Sequence, residues 1–417
     1  MAPTERTSLL PSESHDGSAS LGPRAAEQPT VLASIRNLIL YSPVNILLVA
    51  VPLSFASHFA GWGATATFIT SFLAIVPLAG LLGEATEQCS LTKELNATFG
   101  NAVEAIVGIV ALQQNQLRIV QTSMLGSVLS NLLLVLGCSF WAAGKNYKQA
   151  KFQVTAAQTN GSILMLAGAT LIIPAAYHAS SGGRGIAPSG PRSQINVREL
   201  ALSMIASGLE DAASSDAGNL KGLLVISRAT AIILLLMYFF YLYFQLYSHA
   251  DLFKAEDEAE AGEAAKMNLY AAVGSLVAVT VVTAFCADYL VESIDEFSTR
   301  LGVPKVFIGI ILLPIVGNAA EHITAVWMAL KGKMEITLGV AIGSSIQIAV
   351  GVVPVLVLIG WAMGRELTLY FENFETICLF LSVLLVNLVV ADGRSNYLEG
   401  AMLVSLYLVI AVAFWVY

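Results

Sequence analysis

Eleven stretches of this chain are apolar enough and long enough to cross a lipid bilayer as helices. The hydrocarbon core of a bilayer takes about 20 helical residues. The stretches run over residues 41–61, 64–83, 97–115, 119–143, 153–176, 226–247, 268–291, 304–330, 335–363, 369–391 and 398–417. Several carry an interior proline, among them Pro77, Pro314 and Pro354. Soluble helices avoid this, whereas bundled membrane helices re-satisfy the freed backbone groups through their neighbours. Composition agrees. Of 417 residues, 56% are hydrophobic and 12% charged, where a soluble domain carries about 25% charged residues. The expected fold class is an all-α membrane protein, with the lipid bilayer as its solvent.

Positive charge sets the expected orientation. Lys145, Lys148 and Lys151 lie between the fourth and fifth stretches, Lys331 and Lys333 between the eighth and ninth, and Arg6, Arg24 and Arg36 precede the first. Eleven spans with a cytosolic N-terminus put all three groups on one side. Residues 1–38, rich in Ser, Pro, Gly and Ala, read as a disordered cytosolic tail. Within it, Glu5 to Leu10 fits an acidic dileucine sorting signal or a chance match in a biased segment. Residues 39–63 read as an extra first helix, 64–247 as one repeat with a luminal loop at 177–221, and 267–417 as a second repeat. Residues 248–266 hold Asp251, Glu256, Asp257, Glu258, Glu260 and Glu263 against Lys254 and Lys266. They read as an acidic helix joining the repeats. The net charge of −8 comes with no basic face for phosphates, which excludes nucleic acid as a partner. Cys89, Cys138, Cys286 and Cys378 form no close pairs, so neither a disulfide framework nor a zinc motif is expected. Nothing in the sequence specifies an oligomer.

An internal repeat carries the chemistry. Gly100-Asn101-Ala102-Val103-Glu104 recurs as Gly317-Asn318-Ala319-Ala320-Glu321. Gly126-Ser127 follows the first copy at the same spacing as Gly343-Ser344 follows the second. Five stretches belong to each copy. An odd number makes the second half enter the membrane from the opposite side, so the repeats are expected to be inverted, as in many secondary transporters.

A charge near the bilayer centre costs about 2.5–3.5 kcal/mol on insertion scales. Glu104 and Glu321 lie well inside their stretches in equivalent places. Asn101 shares a helix face with Glu104, and Asn318 with Glu321. Gly100 and Gly317 permit a backbone bend that turns carbonyl oxygens toward a cavity. Ser127 with Ser130, and Ser344 with Gln347, present neutral oxygens on the next helices. Carboxylates, amides, hydroxyls and carbonyls are the ligands of Ca²⁺, which takes about 6–8 oxygens. No Cys or His pair is placed for zinc or copper. A carboxylate removed from water binds its proton more readily. The same two acids therefore suit either a divalent ion or protons, and competition between them is an exchange mechanism. Two protons crossing about two pH units release about 5.5 kcal/mol, enough for about a 10⁴-fold concentration ratio.

These motifs resemble the two signatures of the cation/proton exchanger (CAX) family. Gly100–Glu104 with Ser123-Met124-Leu125-Gly126-Ser127-Val128-Leu129-Ser130-Asn131 resembles the first. Gly317–His322 with Gly343-Ser344-Ser345-Ile346-Gln347 resembles the second. The likeness runs from about residue 40 to 417 and is strongest to the vacuolar Ca²⁺/H⁺ exchangers of fungi and plants. It implies about eleven transmembrane helices, in two inverted five-helix repeats after an extra first helix. It implies that Glu104 and Glu321 bind the cation alternately from each side, with Ser127, Ser130, Ser344 and Gln347 beside them. Glu87 matches a family acidic residue near the cytosolic mouth, and 248–266 matches the family's acidic helix. Ca²⁺ and H⁺, with Mn²⁺ as a further cargo, are then transported ions, with no cofactor, across a vacuolar membrane. The chain departs from its relatives between Glu87 and Asn96, where it is several residues shorter and lacks a Gly-rich stretch. Either the entrance differs or a piece is missing.

Two other functions are weighed. A Na⁺-coupled calcium exchanger shares inverted repeats and acidic motifs. An intramembrane enzyme is suggested by the neighbours Glu321 and His322, but no paired metal-ligand histidines or nucleophile elbow support it. Adjacent in sequence, His322 points to another face and reads as a packing or gating residue. Glu84, Asp288 and Glu292, near stretch ends, read as solvated.

Overall fold

The computed structural model describes residues 30–40, 42–89, 100–182, 197–252 and 267–417. Hydropathy sets the frame. Eight helices are long and apolar enough to cross a membrane, two bent pairs pass the same test, and Ala102–Gln113 is a shorter apolar helix. In chain order the helices are α1 Val31–Leu40, α2 Ala50–Phe59, α3 Ala64–Cys89, α4 Ala102–Gln113, α5 Leu117–Ala143, α6 Val154–Gly182 and α7 Val197–Tyr243. They continue with α8 Leu269–Leu301, α9 Lys305–Gly317, α10 Ala319–Leu330, α11 Met334–Ala362, α12 Asn373–Val390 and α13 Tyr397–Val416. A two-residue strand β1, Ala150–Lys151, pairs antiparallel with β2, Arg394–Ser395.

Apolar side chains fill the interior and also coat the outside. Leu129, Leu132, Leu133 and Leu136 of α5 are fully buried, whereas Leu236, Phe240, Leu388 and Val412 lie open on the outer surface. A water-soluble fold hides such side chains; lipid accepts them. Helix α5 is the most enclosed of the long helices, so its polar residues face protein. Helix α3 packs along α8, and α5 lies against α9 and α13. At one end of the bundle, Arg118 at the start of α5 pairs with Glu372 at 3.1 Å and with Glu375 on α12.

Two expectations about segment boundaries are corrected. The tail was expected to run disordered to residue 38, yet Val31–Leu40 is helical. Tertiary contacts hold it. Ser34 Oγ accepts from the Asn268 amide at 3.1 Å, and Leu38 packs with Leu81, Met267 and Ala271. The expected loop at 177–221 is also shorter, because α6 continues to Gly182 and α7 begins at Val197. The dileucine motif, residues 90–99 of the shortened connection, and residues 253–266 of the acidic joint lie outside the described residues.

Candidate functional site

Each Gly-Asn pair stands at the start of a helix, and at the second pair one helix stops where the next begins. Asn318 sits between α9 and α10, whose axes differ by 57°. Its backbone is at φ −86°, ψ 10°, and that of Asn101, just ahead of α4, is at φ −103°, ψ 37°. Both conformations lie in or near the sparsely populated bridge region, where functional residues collect. Glu104 and Glu321 therefore stand in the first turns of α4 and α10. There the positive end of the helix dipole favours a negative group.

The two asparagines are tied across the bundle by their amide nitrogens. Asn101 Nδ2 donates to Gln347 Oε1 on α11 at 2.5 Å, and Asn318 Nδ2 donates to the Ser127 carbonyl on α5 at 3.1 Å. Each tie leaves the amide oxygen, Oδ1, buried without a donor. Glu104 Oε1 is in the same condition. It reaches the second break: a Cβ added at Gly317 would lie 2.8 Å from it. Only glycine leaves that space open. Glu321 is held differently. Ser344 Oγ donates to its Oε1 at 2.6 Å, and Asn131 Nδ2 to its Oε2 at 2.9 Å. Asn131 Oδ1 is also buried and unsatisfied.

Four buried acceptor oxygens without donors thus collect around the two Gly-Asn motifs, from Asn101, Glu104, Asn131 and Asn318. Buried acceptors normally find partners. A cation is the partner that acceptors alone can satisfy, and these hard oxygens suit calcium. A cavity of about 20 Å³ lies here, lined among others by Ile75, Glu104, Ser123, Ser127, Leu313 and Gly317. That is room for about one water-sized occupant.

Most of the residues expected from the sequence meet at this point. Asn101, Glu104, Ser127, Gly317, Asn318, Glu321, Ser344 and Gln347 bond to one another or line the cavity. Gly100 is exposed just ahead of α4. Ser130 is buried next to Tyr407 of α13, and neither glutamate bonds to it. Glu87 is exposed near the end of α3, away from the cavity lining. Glu84 corrects the expectation of a solvated residue: it is buried and accepts from Gln88 at 3.1 Å. Two participants were missed. Asn131 follows Ser127 by one helical turn, and that spacing was the available signal. Tyr238 of α7 hydrogen-bonds Gln347, a contact for which the sequence carries no signal.

A further regularity concerns helix gauge. The α-helical hydrogen bonding of α5 gives way to a wider π turn at Ser130–Val135, and that of α11 does so at Gln347–Val352. Each begins three residues after the serine of its Gly-Ser pair. Such wide turns are frequent at functional sites.

Helix starts that bring buried, unsatisfied oxygens together, inside a bundle coated with apolar side chains, define a polytopic membrane protein built around a buried polar centre. The chain belongs to the sodium/calcium exchanger protein family, whose model matches residues 63–247 and again 271–416. The vacuolar calcium ion transporter of Schizosaccharomyces pombe is 41% identical over 420 residues, covering 99% of this chain and 93% of that protein. The Ca²⁺/H⁺ antiporter of Synechocystis is 37% identical, covering 89% of this chain and 96% of its own length. The solved structure of native YfkE superposes with a TM-score of 0.70 at 32% identity, over 90% of this chain and all of that one. A solved H⁺/Ca²⁺ exchanger CAX shares the fold, with a TM-score of 0.61 at 12% identity.

Proposed function

We propose that this protein is a Ca²⁺/H⁺ antiporter of the vacuolar membrane that moves cytosolic Ca²⁺ into an acidic lumen in exchange for protons. The observation that carries this reading is the set of buried oxygens without donors on Asn101, Glu104, Asn131 and Asn318. A transported Ca²⁺ satisfies them, and Glu104 and Glu321 neutralise its charge. When the ion leaves, two carboxylates beside each other out of water take up protons instead. The ion is cargo, so no resident cofactor is called for. The names of the relatives from S. pombe and Synechocystis support calcium as the ion and protons as its counterpart. Mn²⁺ is a second cargo the same hard oxygens accept.

The two five-helix halves, α3–α7 and α8–α13 with α9 and α10 as one bent span, act as inverted repeats. The N-terminus is cytosolic. Access alternates as one half rocks against the other around the breaks. Glu87, near the end of α3, and the acidic joint at 248–266 draw cations to the cytosolic mouth.

The test is ⁴⁵Ca²⁺ uptake into acid-loaded proteoliposomes. Uptake should follow the imposed pH difference and collapse with a proton uncoupler. Uptake that ignores the uncoupler and follows a Na⁺ gradient would overturn this reading in favour of Na⁺ coupling.

A further inference from the structure

Three connections meet at one end of the bundle, the end where α5, α10 and α12 finish. The first joins α5 to α6 and carries Lys145, Lys148 and Lys151. The second joins α10 to α11 and carries Lys331. The third joins α12 to α13 and carries Arg394. Specific bonds hold them together. Asn146 Nδ2 donates to the Leu330 carbonyl at 2.8 Å, and the Phe152 amide donates to the Gly393 carbonyl at 3.0 Å. The Tyr147 hydroxyl closes over Gly332, whose φ of 78° is one that side chains rarely allow. Strands β1 and β2 then set Lys151 directly opposite Arg394.

That last pairing is unfavourable as it stands. Directly opposed residues of an antiparallel pair share a face, and like charges there repel. Lys145, Lys148, Lys151 and Arg394 are all exposed. Among the described residues none of them forms an ion pair. Lys331 sits over the Trp327 ring at 5.5 Å. Two exposed acidic side chains lie in or beside these connections, Asp392 and, in the first turn of α11, Glu335. Asp392 spends Oδ1 on the Arg394 backbone amide at 3.0 Å, and Glu335 pairs with no described cation. The face is rimmed by Trp141, Trp327 and Tyr397, each more than half exposed. Exposed Trp and Tyr at helix ends mark the depth of lipid headgroups. The cations therefore sit where headgroup phosphates lie.

We propose that this three-loop face binds the phosphate-bearing headgroups of anionic membrane lipids, with Lys145, Lys148, Lys151 and Arg394 as the contacting cations. A phosphate between Lys151 and Arg394 turns the repulsion across the strand pair into a bridge. The bridge ties the end of α5 to α12 and α13, and Asn146 extends it to α10. Helices α5 and α10 are the pair joined by the bond from Asn131 to Glu321. The lipid thus braces the helices that hold Glu321.

The test uses the full chain in neutral detergent. It is titrated with a short-chain phosphatidylinositol phosphate, a short-chain phosphatidylcholine and inorganic phosphate, and followed by the change in total indole fluorescence, to which Trp141 and Trp327 at this face contribute. The anionic lipid should bind saturably and at least about tenfold tighter than either comparator, since each basic residue near a membrane surface is worth about a fivefold factor. Replacing Lys145, Lys148, Lys151 and Arg394 together by Gln should weaken it by about several hundredfold. Unchanged Ca²⁺ uptake of that variant in pure phosphatidylcholine vesicles shows it folded. If it does not fold, Arg394→Gln alone should weaken binding about fivefold. Equal binding of phosphatidylcholine, inorganic phosphate matching the lipid, or a folded variant with undiminished affinity would each overturn the proposal.

Discussion

The two Gly-Asn motifs are near-copies in sequence and unequal in surroundings. Around α4, Glu104 is 5% exposed and its Oε1 has no donor. Around α10, Glu321 is only partly buried and receives donors on both oxygens. The difference comes from two positions. Ser344 gives its hydroxyl to Glu321, while its counterpart Ser127 gives only its carbonyl, to Asn318. Asn131 has as its counterpart the buried, apolar Ile348. A duplicated motif has therefore become an unequal pair. The protein supplies donors to both oxygens of one carboxylate and leaves an oxygen of the other without one.

The strongest way to break the comparison is to neutralise each acid in turn. Glu104→Gln and Glu321→Gln should each lower Ca²⁺ uptake by more than about a hundredfold, because each leaves a divalent ion with a single compensating charge in low dielectric. Retained uptake in either would show that the ion is held elsewhere. Gly317→Ala comes next. A methyl there falls against Glu104 Oε1, and uptake should drop about ten- to a hundredfold because misplacing a site group by about 1 Å has that effect. Purified protein with an unchanged melting midpoint would separate this from misfolding.

Asn131→Ile makes the second half resemble the first. It removes a hydrogen bond to a charged group, about 1.5–3 kcal/mol, and should raise the KM for Ca²⁺ about tenfold or more. The smallest effects sharpen the contrast between the serines. Ser344→Ala should raise KM about tenfold, the lower end for a bond to a carboxylate at about 1.5 kcal/mol. Ser127→Ala keeps the carbonyl that Asn318 uses and should stay within about twofold, the range of a lost neutral contact. Equal responses at the two serines would erase the asymmetry.

Much of this was legible in the sequence. Apolar runs separated by charged turns locate the membrane helices, because burying charge in lipid is so unfavourable. The paired Gly-Asn motifs mark where α4 and α10 begin and so place both acids in first turns. The rest was hidden for specific reasons. Helix α1 belongs to a segment whose composition suggests disorder, and its order comes from contacts of Ser34 and Leu38 with residues more than forty positions away. The role of Asn131 escaped a search for matched pairs because the second copy holds Ile348. Glu84 looked like an end residue until α3 proved to extend to Cys89.

The wide turns at Ser130–Val135 and Gln347–Val352 hold one residue more than an ordinary coil, so they are the places where these helices can absorb an edit. Successive residues of a regular helix are about 100° apart around its axis. Deleting a single amino acid inside a wide turn lets it relax to ordinary gauge and leaves everything downstream in phase. The same deletion just beyond it, at the start of the regular segment Leu136–Ala143, has no slack to draw on, and Phe140, now fully enclosed, would swing toward the hydrocarbon.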